Sequence, residues 1–583
     1  MNAIKSLVNA RATLTVAPIL KILPMIIIGA IGVQTISCSS DDGGGGATEY
    51  SFCVFSDNET CLEGPFTACQ QNGMLSNSCP FASAPSSSSV EPSSSSSGGT
   101  DGSSSSGGGS SSSEGASSPS SSSVSSITQP TAAGFYMETA TGYVSIDLAE
   151  TSGTTVVDKA LAYVNANAAE GAYLLIIGED IELEPSVNRR PRQDNARLAI
   201  KGDNAMRTIS LSTTAQGYMF GVGARVVSKA EPIGKTGISL TIGNNITLKG
   251  REGNDRSVVY VEDGAAFIMQ DNSVITGNED ESGVDVSTGT FTMKGNATIT
   301  KNTDGGVRVS GDGSIFTMQD NAKITDNEAS QSGGGVYVEE SGCIFIMKDN
   351  ASITGNKAAG DGGGVYAYGT FTMENGTISG NETSGMGNGG GVYVSSGTFT
   401  MENGTISGNE ISGMGYGGGV YVSVGEFTMK GGAISGNKAM GGNVYGGYGR
   451  GGGVYVRGSS YGGDAIFAME GGIISGNEAS KNGGGVYVDG GGNTFNSIFK
   501  ISNGMVYGNS NSNGNNSNTS ADEGAALYVG ASYISTDTYI HGIAQYGNGE
   551  SWTDIPVTSG GDNIYGLYNY RDATINVVNG VLQ

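Results

Sequence analysis

Residues 371–394 read FTMENGTISGNETSGMGNGGGVYV, and residues 399–422 repeat the pattern as FTMENGTISGNEISGMGYGGGVYV. Three short stretches in each copy alternate with period two: Phe-Thr-Met, Thr-Ile-Ser and Val-Tyr-Val. Asn-Gly or Gly-rich turns bound them. Period-two alternation between turn residues is a strand pattern, so helical repeats are excluded. The leading Phe recurs at 267, 291, 316, 345, 371, 399, 427, 467 and 499, with gaps of 24, 25, 29, 26, 28, 28, 40 and 32 residues. Three strands per repeat of this length predict a parallel β-helix, each coil lying about 4.8 Å from the next. The Leu scaffold of leucine-rich repeats is missing. Glycine makes up 99 of 583 residues, but it comes in blocks of three at long intervals, which excludes collagen.

The alternation also assigns sides. In the coil from 371, Phe371, Met373, Ile378, Val392 and Val394 are expected inside. Each such side chain contributes about 1.5–3 kcal/mol on burial, so a stack of coils offsets an ordering entropy that one coil cannot. The Tyr between the two Val points outward. Asp285 and Arg308 hold the same place in earlier coils, where a charge is expected at the surface. Tyr337, Tyr366, Tyr393, Tyr421, Tyr455 and Tyr487 should then form an exposed ladder, with Tyr260 and Tyr528 as outliers. The Asn after the second strand recurs as Asn278, Asn302, Asn327, Asn356, Asn381, Asn409, Asn437, Asn477 and Asn509. Its amide is expected to donate to one neighbouring coil and accept from the other, as a structural internal ladder. The Gly triplets allow close backbone approach at the next corner.

Around the repeats of 261–530 the chain divides by composition. Residues 1–21 carry three bases and no acid, and Ile22 to Val33 is an apolar run of twelve. Residues 1–37 thus have the n-region and h-region of a secretory signal, with an apolar run too short to span a bilayer. Residues 38–46 read as a flexible tether. Residues 47–80 hold Cys53, Cys61, Cys69 and Cys79, which in an exported chain predict two disulfides with three pairings open. Their spacing does not match a zinc site. In 81–128 serine supplies 26 of 48 residues, so this stretch reads as a disordered Ser/Gly-rich linker spanning roughly 35–40 Å. Residues 129–260 are expected to hold the N-terminal cap and the first irregular coils. Their helix from Thr155 to Ala168 carries an apolar stripe of Val156, Ala160, Tyr163 and Val164. Residues 531–583 should close the other end. Both ends need covering, because an open coil end is a sheet edge.

Net charge is −26, or −29 once the three N-terminal bases are removed. Such a chain repels nucleic acid and anionic membrane, so neither is expected as an electrostatic partner.

Three resemblances add to these readings. Thr35-Ile36-Ser37-Cys38 resembles a bacterial lipobox, with Thr35 where Leu is commonest. That likeness implies lipidation of Cys38 and a membrane anchor, on an outer membrane and facing outward. The four cysteines followed by poly-Ser resemble small Cys-rich heads on surface lipoproteins of fibre-degrading gut bacteria. The repeats are similar to right-handed β-helix families, including pectate-lyase-like proteins and polymorphic outer-membrane-protein repeats. In the latter an Asn and a small residue lead to a Gly-Gly block, as Asn356-Lys357-Ala358-Ala359 leads to Gly362-Gly363-Gly364-Val365. The implied fold is all-β: a single-stranded right-handed parallel β-helix with a short N-terminal capping helix.

Catalytic signatures of those relatives are missing. Asn302-Thr303-Asp304 echoes a polygalacturonase-like triplet without its partner Asp residues, its His or its basic block. Arg189-Arg190-Pro191-Arg192 lacks the spacing of a lyase block. His541, the only His, has no evident partner, and Cys343 is expected as an unpaired, partly buried thiol. Asp285 and Glu339 or Glu340 share a face with Arg308 on neighbouring coils, a placement that surface charge variation also explains. The Asp-Asn pairs at 271, 320 and 349 offer oxygens for Ca²⁺, but at turns they serve the backbone first. No cofactor or metal site is assigned. The aromatic row, with Tyr445 and Tyr448 in the long insertion 438–450, is the candidate ligand surface. The expected function is adhesion or glycan binding by a tethered rod, with polysaccharide or another cell surface as partner. A lyase or hydrolase acting on plant cell-wall polysaccharide is the alternative, and a structural spacer a third.

Overall fold

In the computed structural model, the described residues are four three-residue strands between 35 and 76, and residues 128–583 without 213–215, 225–233, 442–447, 460–462, 491–494, 510–513, 536–537, 542, 557, 560–568 and 580. The chain forms two units, divided between Ser123 and Val124. In the first, Thr35–Ser37 pairs with Phe52–Val54 and Cys69–Gln71 with Met74–Ser76, both antiparallel. The secretory segment, Cys38 and the side chains of Cys53, Cys61, Cys69 and Cys79 lie outside the described residues.

The second unit is the parallel β-helix. Its coils stack in strict register: Phe345 pairs with Phe371 and Phe371 with Phe399, Ile353 with Ile378 and Ile378 with Ile406, Val365 with Val392 and Val392 with Val420. The coils at 267 and 291 hold the three expected strands, and from the coil at 316 onward a fourth, two-residue strand is added. The coil at 371 runs through Thr370–Met373, Thr377–Ser379, Glu382–Thr383 and Val392–Met401, whose far end begins the next coil. The two-residue strand after the ladder Asn escapes a period-two reading because it is too short to alternate. It adds a fourth column, in which Ala358, Thr383 and Ile411 are buried apart from the central core.

Phe371, Met373, Ile378, Val392 and Val394 are all fully buried, as the alternation requires. Phe rings from 267 to 499 stack face to face at 4.5–5.0 Å between centroids, forming an unbroken internal column. Beside them runs the Asn ladder. Asn381 donates from Nδ2 to Asn409 Oδ1 (2.9 Å) and to Ile353 O (3.0 Å), and its backbone N–H donates to the same Oδ1 (3.0 Å). Each buried amide is thereby satisfied on both sides. Asn509 is a correction: it is exposed, and Asn518 takes the last rung, accepting from Asn477. Extra residues separate the last strand pair, so counting from Ile misplaces the rung. Asn254 also joins, donating to Asn278 Oδ1 at 3.1 Å.

The Gly triplets fit this arrangement. Gly362 opens its triplet at φ +71, and a β-carbon on Gly364 would lie 2.6 Å from Gly391 O and 3.0 Å from Asn381 Nδ2. Both ends are capped. Helix Val156–Ala166 starts at a capping box between Thr155 and Asp158 and buries Val157, Ala160, Leu161 and Val164. Of the expected stripe Ala160 and Val164 are buried and Tyr163 packs against the core, whereas Val156 is 39% exposed and Val157 and Leu161 are buried instead. The hairpin Gly134–Thr139 and Gly142–Ile146 pairs antiparallel with the first sheet strand, Ala172–Ile177. At the far end Ile575–Val578 and Asn569–Arg571 pair antiparallel with the last coil. Antiparallel strands thus cover the sheet edge at Ala172–Ile177 and the edges at Gly504–Val506 and Leu527–Val529.

Candidate functional site

The outward rungs of the Val-Tyr-Val strands align in one file: Tyr260, Asp285, Arg308, Tyr337, Tyr366, Tyr393, Tyr421, Tyr455, Tyr487 and Tyr528. Tyr421, Tyr455, Tyr487 and Tyr528, with Tyr393 and Tyr416 against them, form a cluster apart from the central core. Their expected exposure is corrected along half the row. Tyr337, Tyr366 and Tyr393 are half-buried, but Tyr421, Tyr487 and Tyr528 are buried and Tyr455 is 0% exposed. Side chains from the preceding corners and from the long insertion cover these rings. Tyr416 stacks on Tyr455 at 4.7 Å and Tyr448 packs against Tyr416 at 5.7 Å. Arg450 lies over Tyr487 at 5.4 Å, and Tyr455 donates to Asp489 Oδ2 at 2.7 Å, which Arg457 also approaches at 3.4 Å. Tyr445 lies outside the described residues.

Ring orientation narrows the surface further. From Tyr366 to Tyr528 the rings are parallel within 14° and 5.0–5.2 Å apart, so each covers the faces of its neighbours. A sugar needs a ring face, and these faces are spent on the stack. Burial raises the phenol pKa of Tyr337, Tyr366, Tyr393, Tyr421 and Tyr455, so these hydroxyls stay protonated. Tyr337 differs. It is tilted 43° from Tyr366, and its neighbour on the other side is Arg308 rather than an aromatic ring.

At that break the outer face holds a cavity of about 480 Å³. Tyr337, Arg308, Glu339 and Gln331 line it, together with Asp255, Asp280, Glu281 and Asp304. The corners before the strands make this possible. Where later coils carry Gly triplets, these carry Asp280-Glu281-Ser282-Gly283 and Asp304-Gly305-Gly306, so carboxylates rise over the rungs. Arg308 bridges the floor, giving Nη1 to Asp285 Oδ2 at 3.2 Å and Nη2 to Glu339 Oε2 at 2.5 Å. Asp285 is a second correction: only 6% exposed, it lies beneath the surface, where Arg308 and Ser310 contact its two oxygens. Burial pushes its carboxyl up to about 6 despite Arg308, and burial raises Glu281 as well. Asp304 accepts from Ser330 at 2.8 Å, and Asp255 has Arg256 at 4.0 Å.

The sequence placed Asp285, Arg308 and Glu339 on one face, and the fold brings them into contact. Glu340 is half-buried nearby without joining the cavity lining. The corner acids were missed. Their signal was the departure from Gly at a repeat position, which a period-based reading treats as noise. Among the described residues, no three or more His, Cys, Asp or Glu are grouped to hold a metal ion. The candidates of the other motifs lie elsewhere. Arg189 pairs with Asp158 and Arg190 with the buried Glu262, tying the cap to the coils. His541 ends the strand Thr538–His541, its side chain outside the described residues. Cys343 is a free, fully buried thiol that donates to Gly311 O, and burial raises it to about 11. No described helix is long and apolar enough to cross a membrane.

Comparison with known proteins supports the architecture. A family model described as a right-handed beta helix region matches residues 282–460, the coils that carry Arg308 and most of the tyrosine row. The fold is therefore a right-handed parallel β-helix. No curated protein and no solved structure gives a match.

Proposed function

We propose that this right-handed β-helix is a lipid-anchored envelope protein that binds glycan, without turning it over, at the break in its tyrosine row. The N-terminal residues that resemble a lipobox support the anchor at Cys38, and the Ser-rich stretch supplies reach. One observation carries the binding site: Tyr337, the last ring of the stack, lines a cavity of about 480 Å³ among polar side chains. An aromatic face beside a few convergent polar groups is the common make-up of a small-ligand site.

Binding of the full chain to a panel of soluble oligosaccharides and insoluble polysaccharides tests this, with release of reducing ends followed in parallel. At least one glycan should bind, and Tyr337→Ala should weaken it about tenfold or more, the usual loss of an aromatic anchor. Retention that is untouched by Tyr337→Ala would remove the site. Release of reducing ends that stops in Arg308→Ala would replace binding by hydrolysis.

A further inference from the structure

Resting on the glycan-binding site just described, we propose that the cavity selects sugars bearing a protonated amine and rejects uronates. The charges around it set this preference. Arg308 is the guanidinium in the lining, and its two terminal nitrogens are already held by Asp285 and Glu339 at 3.2 and 2.5 Å. A uronate entering the cavity finds that cation neutralised and meets Glu281, Asp304 and Asp280. An ammonium meets the same three carboxylates as partners and Tyr337 as an aromatic wall, where a cation over the ring gains further.

Environment and geometry agree. Glu281 and Asp285 sit above the ordinary carboxylate range, burial being the largest cause in each, so the positive charge at hand does not offset their desolvation. A ligand ammonium would supply it. The acids line the wall of a space large enough for a sugar ring, and the lining is aromatic and amide as well as acidic, through Tyr337 and Gln331. Specificity of this kind rests on repulsion of the wrong ligand as much as attraction of the right one.

The test uses the full chain and three oligomers of equal length: β-linked glucosamine, its fully N-acetylated counterpart and galacturonate. The glucosamine oligomer should bind about tenfold or more tighter than the N-acetylated one, and galacturonate should not bind. Added salt should narrow the difference, since part of it is screened charge. Glu281→Gln combined with Asp304→Asn should bring the ratio of the glucosamine to the N-acetylated affinity to about one, whatever it does to the N-acetylated oligomer's own affinity. Equal binding of the amine and its acetylated form, still sensitive to Tyr337→Ala, would overturn the charge selection and leave the glycan site standing. Failure of all three to bind, when the panel above yields a bound neutral sugar, would overturn it too. Oligolysine bound as tightly as glucosamine and indifferent to Tyr337→Ala would reduce the effect to nonspecific counterion attraction.

Discussion

A β-carbon on Gly391 would stand 2.9 Å from Nδ2 of Asn409, the amide that donates onward to Asn437 Oδ1 at 2.9 Å. It would stand closer still, 2.6 Å, to Gly419 O in the next coil. The glycine triplet and the Asn ladder are therefore one device: coils stack this tightly only where the corner has no side chain. Gly391→Ala should destabilise the stack by about 1–3 kcal/mol, the usual cost of overpacking. Gly408→Asn makes the comparison. That glycine sits at φ +61 with nothing near its β-carbon, and Asn tolerates such backbone. Urea unfolding should separate the two variants, with only the first lowering the midpoint clearly.

Asn409→Ala attacks the same corner from the other side. It removes the oxygen that accepts both Asn381 N–H and Asn381 Nδ2, at 3.0 and 2.9 Å. Orphaning buried donors costs about 1–3 kcal/mol each. Asn409→Asp should be worse, because it keeps the acceptor but sets a charged oxygen against Asn437 Oδ1 and Ile378 O. Nearest-neighbour stacking localises the damage. Amide exchange should speed up in the coils flanking residue 409 and little in the cap near Leu175.

How far the sequence carries depends on the period. Phe, Ile and Val recur because each fills the same inward position, so the core column was readable residue by residue. Asn518 was not, since insertions between Val506 and Thr519 break the spacing that located the rungs from Asn278 to Asn477. Alternation correctly turned the tyrosines away from the core, yet it could not report what covers them. Tyr416 and Arg450 stand just before their Gly triplets, a repeat position held by Asn388 and Asn482 in neighbouring coils, and they pack on Tyr455 and Tyr487. The site at Arg308 followed the same logic. Its rungs were on the expected face, while Glu281 and Asp304 belong to corners whose deviation from Gly was itself the signal.

Asp285 should give the stability a pH slope. Its folded value of about 6 stands above the ordinary 3.8, so the folded chain keeps the proton over a range where the unfolded chain has lost it. This group's contribution is fully present below about pH 4, falls as pH rises through 6, and is lost above. Two pKa units at about 1.4 kcal/mol each bound the effect near 3 kcal/mol. Arg308, Ser310, Glu281 and Glu339 all face the carboxyl, so the measurement must be a difference. Between pH 4 and 7 the native chain should lose up to about 3 kcal/mol of unfolding free energy relative to Asp285→Asn, and the two curves should run parallel above that window. Parallel curves throughout would show that the carboxyl titrates normally.

Cys343 should be inert in the folded chain. Its thiol is fully buried, free and raised to about 11, so almost no thiolate exists at neutral pH and no reagent reaches it. Iodoacetamide should leave it unmodified until urea unfolds the coils, whereupon one alkylation per chain appears at this position.

Tyr455 and Tyr337 occupy equivalent rungs, and their alanine variants should fail in opposite ways. Tyr455 is enclosed by Tyr416, Tyr421 and Tyr487 and donates to Asp489 at 2.7 Å. Tyr455→Ala opens a void in a stacked column and withdraws a hydrogen bond from a carboxylate, so it should cost about 3–5 kcal/mol of stability. Tyr337 stacks on one ring only and borders the cavity, so its removal leaves less void and should cost well under half as much. Glycan affinity should show the reverse order: retained in Tyr455→Ala at temperatures where it stays folded, and lost in Tyr337→Ala. Thermal unfolding and binding measured on the same two variants decide it. If both lose affinity in proportion to stability, the row acts only as a structural stack and the break at Arg308 has no separate role.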